Sequence, residues 1–387
     1  MKNLYILCAL FLFSCQKSLD KIAQPPIVVN GEKETCSFNI SEFNMSKRPP
    51  INYDAAKGRL TTKGGNGNTT TAAANVILLD FDGQSVSNTS WNATGTINCA
   101  PSNLTEAEQA IVFQRVATDF TAFNIVVTTD ETVYNNANPL RRMRVIITES
   151  WEWFGQAGGV SFINSFTWGD NTPCFVFSSL LGYNVKKIAE ASSHEVGHTL
   201  GLRHQSVYDA NGAKTAEYNP GQGTGEIAWA PIMGVSYSRN LSLWHNGTSS
   251  STYNTYQNDV SIIAAVVGLV NDDYSNSTSS AASLSTSLQG LVNNSSDVDF
   301  FSVNISGSKN VSVIPQNVGI NNEGGNLDLV LNVYNSQGAL LSTINDPNIL
   351  SATTVLQPGS YFLSVSTADN SNALKYGMLS RYSINLN

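Results

Sequence analysis

The chain has 387 residues, room for two or three domains at ~100–200 residues each, and either of two such domains would be large enough to bury its own core. Charged residues make up only 13% of it, and the net charge of −8 is spread along the chain without a basic stripe or block, which excludes nucleic-acid binding through a concentrated positive surface. Asn, Ser, Thr and Gly are plentiful, a texture that points to an exported, loop-rich, β-containing protein.

The chain starts with a positive charge at Lys2, and an apolar run follows from Leu4 to Phe13. That run is too short to span a bilayer, which takes ~20 apolar residues, but it suits the central segment of a signal peptide. Next comes Leu12-Phe13-Ser14-Cys15, which resembles the lipobox of bacterial lipoproteins. The resemblance implies a signal peptide over residues 1–14, cleavage before Cys15 and a lipid on its sulfur. The expected location is then the outer membrane or cell surface, with plain secretion as the alternative. No later stretch is long and apolar enough to be transmembrane.

Residues 15–72 show little periodicity and carry Pro25-Pro26, Pro49-Pro50 and Gly64-Gly65-Asn66-Gly67, the composition of a tether or pro-segment. Five cysteines occur in all. Cys8 leaves with the signal peptide and Cys15 takes lipid. Of Cys36, Cys99 and Cys174, two are expected to pair in an oxidising compartment, and Cys99 with Cys174 is the favoured disulfide because both fall inside the next domain. Cys36 is then an odd thiol in a flexible region, with a metal-capping latency thiolate as its functional alternative.

From Asn75 the pattern changes. Val76-Ile77-Leu78-Leu79-Asp80-Phe81 reads as a buried strand ending at the turn signal Asp82-Gly83. Thr105 and Glu108 match a capping box, and Ile111, Val112, Val116, Phe120 and Phe123 behind them recur at helical spacing. Ile125-Val126-Val127, Val145-Ile146-Ile147 and residues 159–166 are further strands. Helices are expected over about residues 185–200 and 259–269. This is an α/β (α+β) domain with a mixed twisted sheet, over residues 73–272. A Ser-rich linker follows at 273–287. Residues 288–387 then read as a small antiparallel β-sandwich, because short alternating runs such as Tyr361-Phe362-Leu363-Ser364-Val365 are separated by turn residues at close intervals.

The chain holds four histidines, and three lie in one window, His194-Glu195-Val196-Gly197-His198-Thr199-Leu200-Gly201-Leu202-Arg203-His204. His194 and His198 are four apart on a predicted helix, so both imidazoles leave one face. Neutral imidazole is a good zinc ligand. Glu195 lies beside the first ligand, placed to accept a proton from water at the metal instead of binding the metal itself. Gly201 falls where the helix should end and turns the chain sharply, returning His204 as a third ligand. Three protein ligands leave an open position, the mark of a catalytic site.

This window resembles the signature of metzincins, zinc peptidases that also carry a methionine in a tight turn beneath the metal. The resemblance implies Met233, in Pro231-Ile232-Met233-Gly234, as the Met-turn residue. In some metzincins a tyrosine two residues after this methionine assists the metal or the transition state. That position here is Val235, so the candidate is Tyr237 instead. The segment Gly158-Gly159-Val160-Ser161-Phe162 is the candidate edge strand for pairing with an extended peptide, with an interior strand as the equal alternative. His245, outside the window, reads as a loop histidine and not a ligand. Glu217 and Glu226 are alternative third ligands, as in another group of zinc peptidases, with His204 favoured because of Gly201.

The C-terminal part resembles the bacterial pre-peptidase C-terminal domain, through Ser296-Asp297-Val298-Asp299-Phe300-Phe301, Asn326-Leu327-Asp328-Leu329 and Gly359-Ser360-Tyr361-Phe362. Asp297 and Asp299 point the same way on a strand end; a solvated acidic turn is the favoured reading, with calcium binding as the alternative. Together these readings predict a monomeric zinc endopeptidase acting on proteins or peptides, with Glu195 as general base. The alternative is a surface adhesin or glycan-binding lipoprotein in which the zinc site is incidental.

Overall fold

The structure, a computed structural model, describes residues 48–51, 59–62, 74–316 and 325–387, and the backbone alone of residues 35–38. The signal-peptide segment and Cys15 lie outside the described residues. No helix among the described residues is long and apolar enough to cross a membrane.

The first layer is a six-stranded sheet. Its strands are β1 (Thr35–Phe38), β2 (Asn75–Asp80), β5 (Ile125–Thr128), β6 (Arg142–Thr148), β7 (Gly159–Phe162) and β8 (Cys174–Phe177), in the order β1-β7-β8-β6-β2-β5. The hairpin β3 (Gln84–Val86) and β4 (Ile97–Cys99) lies outside it. Strands β5, β2, β6 and β8 run parallel. β7 is antiparallel to β8, and β1 is antiparallel to β7.

Strand pleating sorts the side chains onto two faces. Ile77, Leu79, Val145, Ile147, Cys174 and Val176 point to one face, where helices α1 (Glu106–Asp119) and α3 (Val185–Thr199) complete the core. Ile146, Phe175 and Phe177 point to the other face, against Val86, Ile97 and Cys99 of the β3–β4 hairpin. Val76, Leu78 and Val126 also use that second face, packing on Tyr134 of α2 (Glu131–Asn136). β2 is therefore buried on both sides, as a central parallel strand must be. α1 begins with the reciprocal cap of Thr105 and Glu108.

The same pleating corrects the expected disulfide. Cys99 and Cys174 are both free, buried thiols. Cys174 faces the helical core, whereas Cys99 lies under the hairpin on the opposite face, so the sheet separates them.

Beyond α3 come short strand pairs. These are β9 (Val207–Tyr208) with β10 (Lys214–Ala216), β11 (Trp229–Pro231) with β12 (Leu241–Leu243), and β13 (Asn246–Thr248) with β14 (Tyr256–Asn258). Helix α4 (Asp259–Val267) then packs back on the first core through Ile263 and Val267.

The C-terminal part comprises β15 (Ala282–Ser283), β16 (Ser287–Leu291), β17 (Asp299–Ile305), β18 (Lys309–Pro315), β19 (Leu329–Asn335), β20 (Leu340–Ile344), β21 (Ala352–Leu356), β22 (Gly359–Thr367) and β23 (Arg381–Leu386). They form two sheets, β15-β17-β22-β19-β20 and β16-β23-β18-β21. The core they enclose takes Phe301, Leu331 and Leu363 from one sheet and Val311, Val313 and Ile384 from the other. It also takes Ile227, Trp229, Leu241 and Leu243 from the segment before α4.

The Ser-rich run at 273–287 packs against this part of the chain. Tyr274 lies edge-on to Phe301, β15 pairs with β17, and Leu284 is buried. A few apolar side chains suffice to tie down a run whose composition reads as linker.

Candidate metal centre

α3 starts at Asn184, whose side chain caps Lys187 N–H, and is buried from Ile188 to its end. It packs against α1, β7 and β8. On its inner face His194 and His198 meet edge to face, with ring centroids 4.7 Å apart. The helix stops at Gly201, whose φ of +104° suits a residue without Cβ and where a Cβ would meet Asn164 Oδ1 at 2.7 Å. The turn returns His204 to ring distances of 5.2 Å from His194 and 4.9 Å from His198. The three rings each offer a ligand nitrogen within 4.8 Å of the others.

Hydrogen bonds fix how these rings face. Nδ1 of His194 meets the Ile232 carbonyl and Nδ1 of His198 the Leu202 carbonyl, both at 2.7 Å. A carbonyl only accepts, so each Nδ1 carries the proton and each Nε2 keeps a lone pair. Nε2 of His198 is buried without a hydrogen-bond partner. Burial holds His194 and His198 well below the usual histidine range, as neutral imidazoles. Converging neutral imidazoles, one with an orphaned lone pair, fit a zinc ion.

Glu195 is fully buried beside them. Its Oε2 accepts Ser161 Oγ at 2.5 Å, while Oε1 is buried and has no partner. Burial pushes this carboxyl well above its usual range, opposed by the Ser161 bond. Gly159 lies on the same face of β7 as Ser161, and a Cβ there would meet Glu195 Cγ at 2.7 Å. The bare glycine is what lets the strand lie against the glutamate.

Met233 is fully buried under the helix, with its sulfur 2.6 Å from where a Gly197 Cβ would stand. Its carbonyl accepts Gln205 N–H at 2.7 Å, tying the methionine turn to the residue after His204. Tyr237 is half-buried, and burial followed by the charges of Glu195 and Glu190 pushes its phenol well above the usual range.

Other sequence candidates fall elsewhere. His245 is outside the triad, with its ring 4.9 Å from Trp229 and burial holding it down at about 4. Glu226 accepts Leu350 N–H from the C-terminal part. Glu217 stands behind His204, with Oε1 2.6 Å from Nδ1. Asp297 accepts Asn293 N–H, and Asp299 accepts the Tyr382 hydroxyl. Asp272, Asp273 and Asp299, not Asp297, bring carboxylate oxygens within 4.8 Å of one another.

Ser161 and Tyr218 were not among the sequence candidates. Tyr218 has its ring 4.5 Å from that of His204. Nothing in their spacing marks them, because each reaches the site from a separate segment. β1 was also unforeseen as a strand. It lies along β7 with Cys36 opposite Ser161, so β7 is an interior strand between β1 and β8 and not the open edge expected from the sequence.

A mixed sheet backed by a buried helix that presents two histidines, with a third returned by a glycine turn, is the arrangement that the metzincin-like histidine window implies. Residues 144–237, from β6 to Tyr237, match the model of the metallo-peptidase family M12B, reprolysin-like, a metzincin-type family that implies a zinc ion and a peptidase. Among solved structures, the pre-peptidase C-terminal domain of a collagenase from Bacillus anthracis is similar at 15% identity, over 28% of this chain and 92% of that one, with a TM-score of 0.20. PliG, a periplasmic lysozyme inhibitor of g-type lysozyme from Aeromonas hydrophila, is similar at 12% identity, over 26% of this chain and 84% of that one, with a TM-score of 0.18. Neither likeness bears on activity at those scores. No curated protein sequence matches the chain.

Proposed function

We propose that the chain is a zinc-dependent endopeptidase, with residues 73–272 as its catalytic domain and Glu195 as its general base. The observation that carries this is the buried, partnerless Oε1 of Glu195 beside three converging imidazoles. An uncompensated buried carboxylate oxygen is costly and makes sense where water and substrate are to meet it.

His194, His198 and His204 would hold the zinc ion, which supplies Lewis acidity toward the scissile carbonyl and acidifies water. Glu195 Oε1 takes the attacking water's proton and later gives it to the leaving amine. Ser161 holds Oε2, which keeps the other oxygen aimed at the water. β7 would offer main-chain groups to an extended peptide once β1, which pairs with it, is displaced. Tyr237 would donate a hydrogen bond to the developing oxyanion.

The test is casein or gelatin cleavage, with zinc content, in wild type and Glu195→Gln. Zinc in both chains and cleavage in wild type alone is expected. A Glu195→Gln chain that cleaves at the wild-type rate would remove Glu195 from its role. Absence of zinc from both would move the binding-lipoprotein reading to first place.

Two further parts of the proposal follow from the sequence. Lipid on Cys15 tethers the enzyme to a membrane, so fatty-acid labelling should vanish in Cys15→Ser. A calcium ion, expected from the sequence at Asp297 and Asp299, would instead find its ligands in Asp272, Asp273 and Asp299, where Oδ1 of Asp299 is buried and lacks a partner.

A further inference from the structure

We propose that Glu217 is a positioning residue for the third metal ligand, holding the Nδ1 proton of His204 so that the ring's Nε2 lone pair is presented to the metal. This deepens, and rests on, the zinc reading above.

The three histidines are not held alike. His194 and His198 sit on a packed helix and donate to backbone carbonyls that the fold already fixes. His204 lies beyond the helix on a loop, where no helical packing sets its ring. Its Nδ1 instead meets a carboxylate, Glu217 Oε1, at 2.6 Å. The other oxygen of Glu217 accepts Lys214 Nζ at 2.7 Å, and the same ammonium donates to the Ser250 carbonyl at 2.9 Å. Ser250 N–H in turn bonds the His204 carbonyl at 2.8 Å. The circuit closes on the residue where it began.

The β9–β10 hairpin exists in the right place to build this circuit. The chain leaves the histidine window at Gln205 and turns at Asp209–Gly212, where Asp209 N–H bonds the Ala213 carbonyl and Gly212 adopts φ +81°. It then returns as β10 to deliver Glu217. The two legs are stitched where they meet, by Ser206 Oγ on the Glu217 carbonyl at 2.5 Å and Asn219 N–H on the Gln205 carbonyl at 2.7 Å. Glu217 stands on the Nδ1 side of the ring, so it backs the ligand and is not itself part of the cluster of ligand atoms.

A carboxylate behind a ligating imidazole fixes the tautomer and raises the basicity of the other nitrogen, and its loss costs ~10–100-fold in metal affinity. The Glu217 side chain is 42% exposed, so solvent screens it and the low end of that range applies.

The experiment is zinc affinity of the full chain, by competition with a chelator of known strength, in wild type, Glu217→Gln and Glu217→Ala. The visible spectrum of the cobalt-substituted chains and melting of the metal-free chains are recorded alongside. Glu217→Ala should bind zinc about 10-fold more weakly, with a shifted cobalt spectrum and unchanged metal-free melting. Glu217→Gln, whose amide oxygen still accepts from Nδ1, should recover most of the affinity. Wild-type affinity in Glu217→Ala would overturn the role of Glu217 and leave the zinc reading intact. Failure of the wild-type chain itself to bind zinc would overturn both.

Discussion

Gly159→Ala is a small change with a large expected effect. The new methyl would stand 2.7 Å from Glu195 Cγ and Oε1 and 2.8 Å from the Phe175 carbonyl. The carbonyl belongs to the central sheet and cannot yield, so the glutamate must. Ordinary contact begins near 3.4 Å, so the carboxylate retreats by about 0.7 Å or more. A misplacement of about 1 Å near the chemistry costs ~100-fold in rate. The overpacking itself costs about 1–3 kcal/mol, and for a domain near 200 residues each kcal/mol lowers Tm by about 2–4 °C. The three histidines are not touched. The expected variant is therefore folded, carries zinc at the wild-type level and loses about 10- to 100-fold in kcat/KM on a fluorogenic peptide. Wild-type kcat/KM in that variant would refute the claim that β7 lies against the base.

Two further outcomes follow from other parts of the structure. An extended peptide that took the β7 edge would have to displace β1, which pairs there at an effective concentration of about millimolar, so removing residues 1–47 should lower KM for extended peptides about 10-fold; unchanged kinetics in a folded truncated chain would count against that edge as the peptide site. Burial pushes Asp299 up to about 8 and Asp297 up to about 6, against 3.8 as the ordinary value, and neighbouring Asp272 and Asp273 add to both. The folded chain holds these protons to higher pH than the unfolded chain does, so the contribution of these two aspartates to stability in metal-free buffer falls as pH rises from about 4 to about 8, against the opposite contribution of the histidines that burial holds neutral, His194, His198 and His245. Asp299→Asn should therefore gain in Tm relative to wild type as pH rises across that interval, and millimolar calcium should narrow the gap, as read by melting of both chains; a Tm difference that stays constant with pH would contradict the reading.

What the sequence carries about this molecule divides along local and long-range lines. The approach of His194, His198 and His204 follows from local rules, four-residue spacing on a helix and a glycine at its end, and so does the cap of Thr105 and Glu108. Burial of the run from Val76 to Leu79 likewise needs only its composition. The supporting contacts do not work that way. Ser161 reaches Glu195, and Glu217 reaches His204, only because a strand and a hairpin are folded against the helix. The cysteine pairing failed on a question of phase, since the face each thiol takes depends on where the pleat begins. Residues 35–38 have no strand periodicity of their own and become a strand through the partner β7. The Ser-rich run at 273–287 reads as a linker because Tyr274, Ala282 and Leu284 are sparse, yet these three side chains dock it.

The most direct test of the central claim is X-ray absorption at the zinc edge of the purified chain, with metal content measured on the same sample. One zinc per chain is expected, with three nitrogen neighbours at about 2.0–2.1 Å and the remaining coordination from oxygen. A sulfur shell near 2.3 Å, or a chain that carries no zinc, would contradict it.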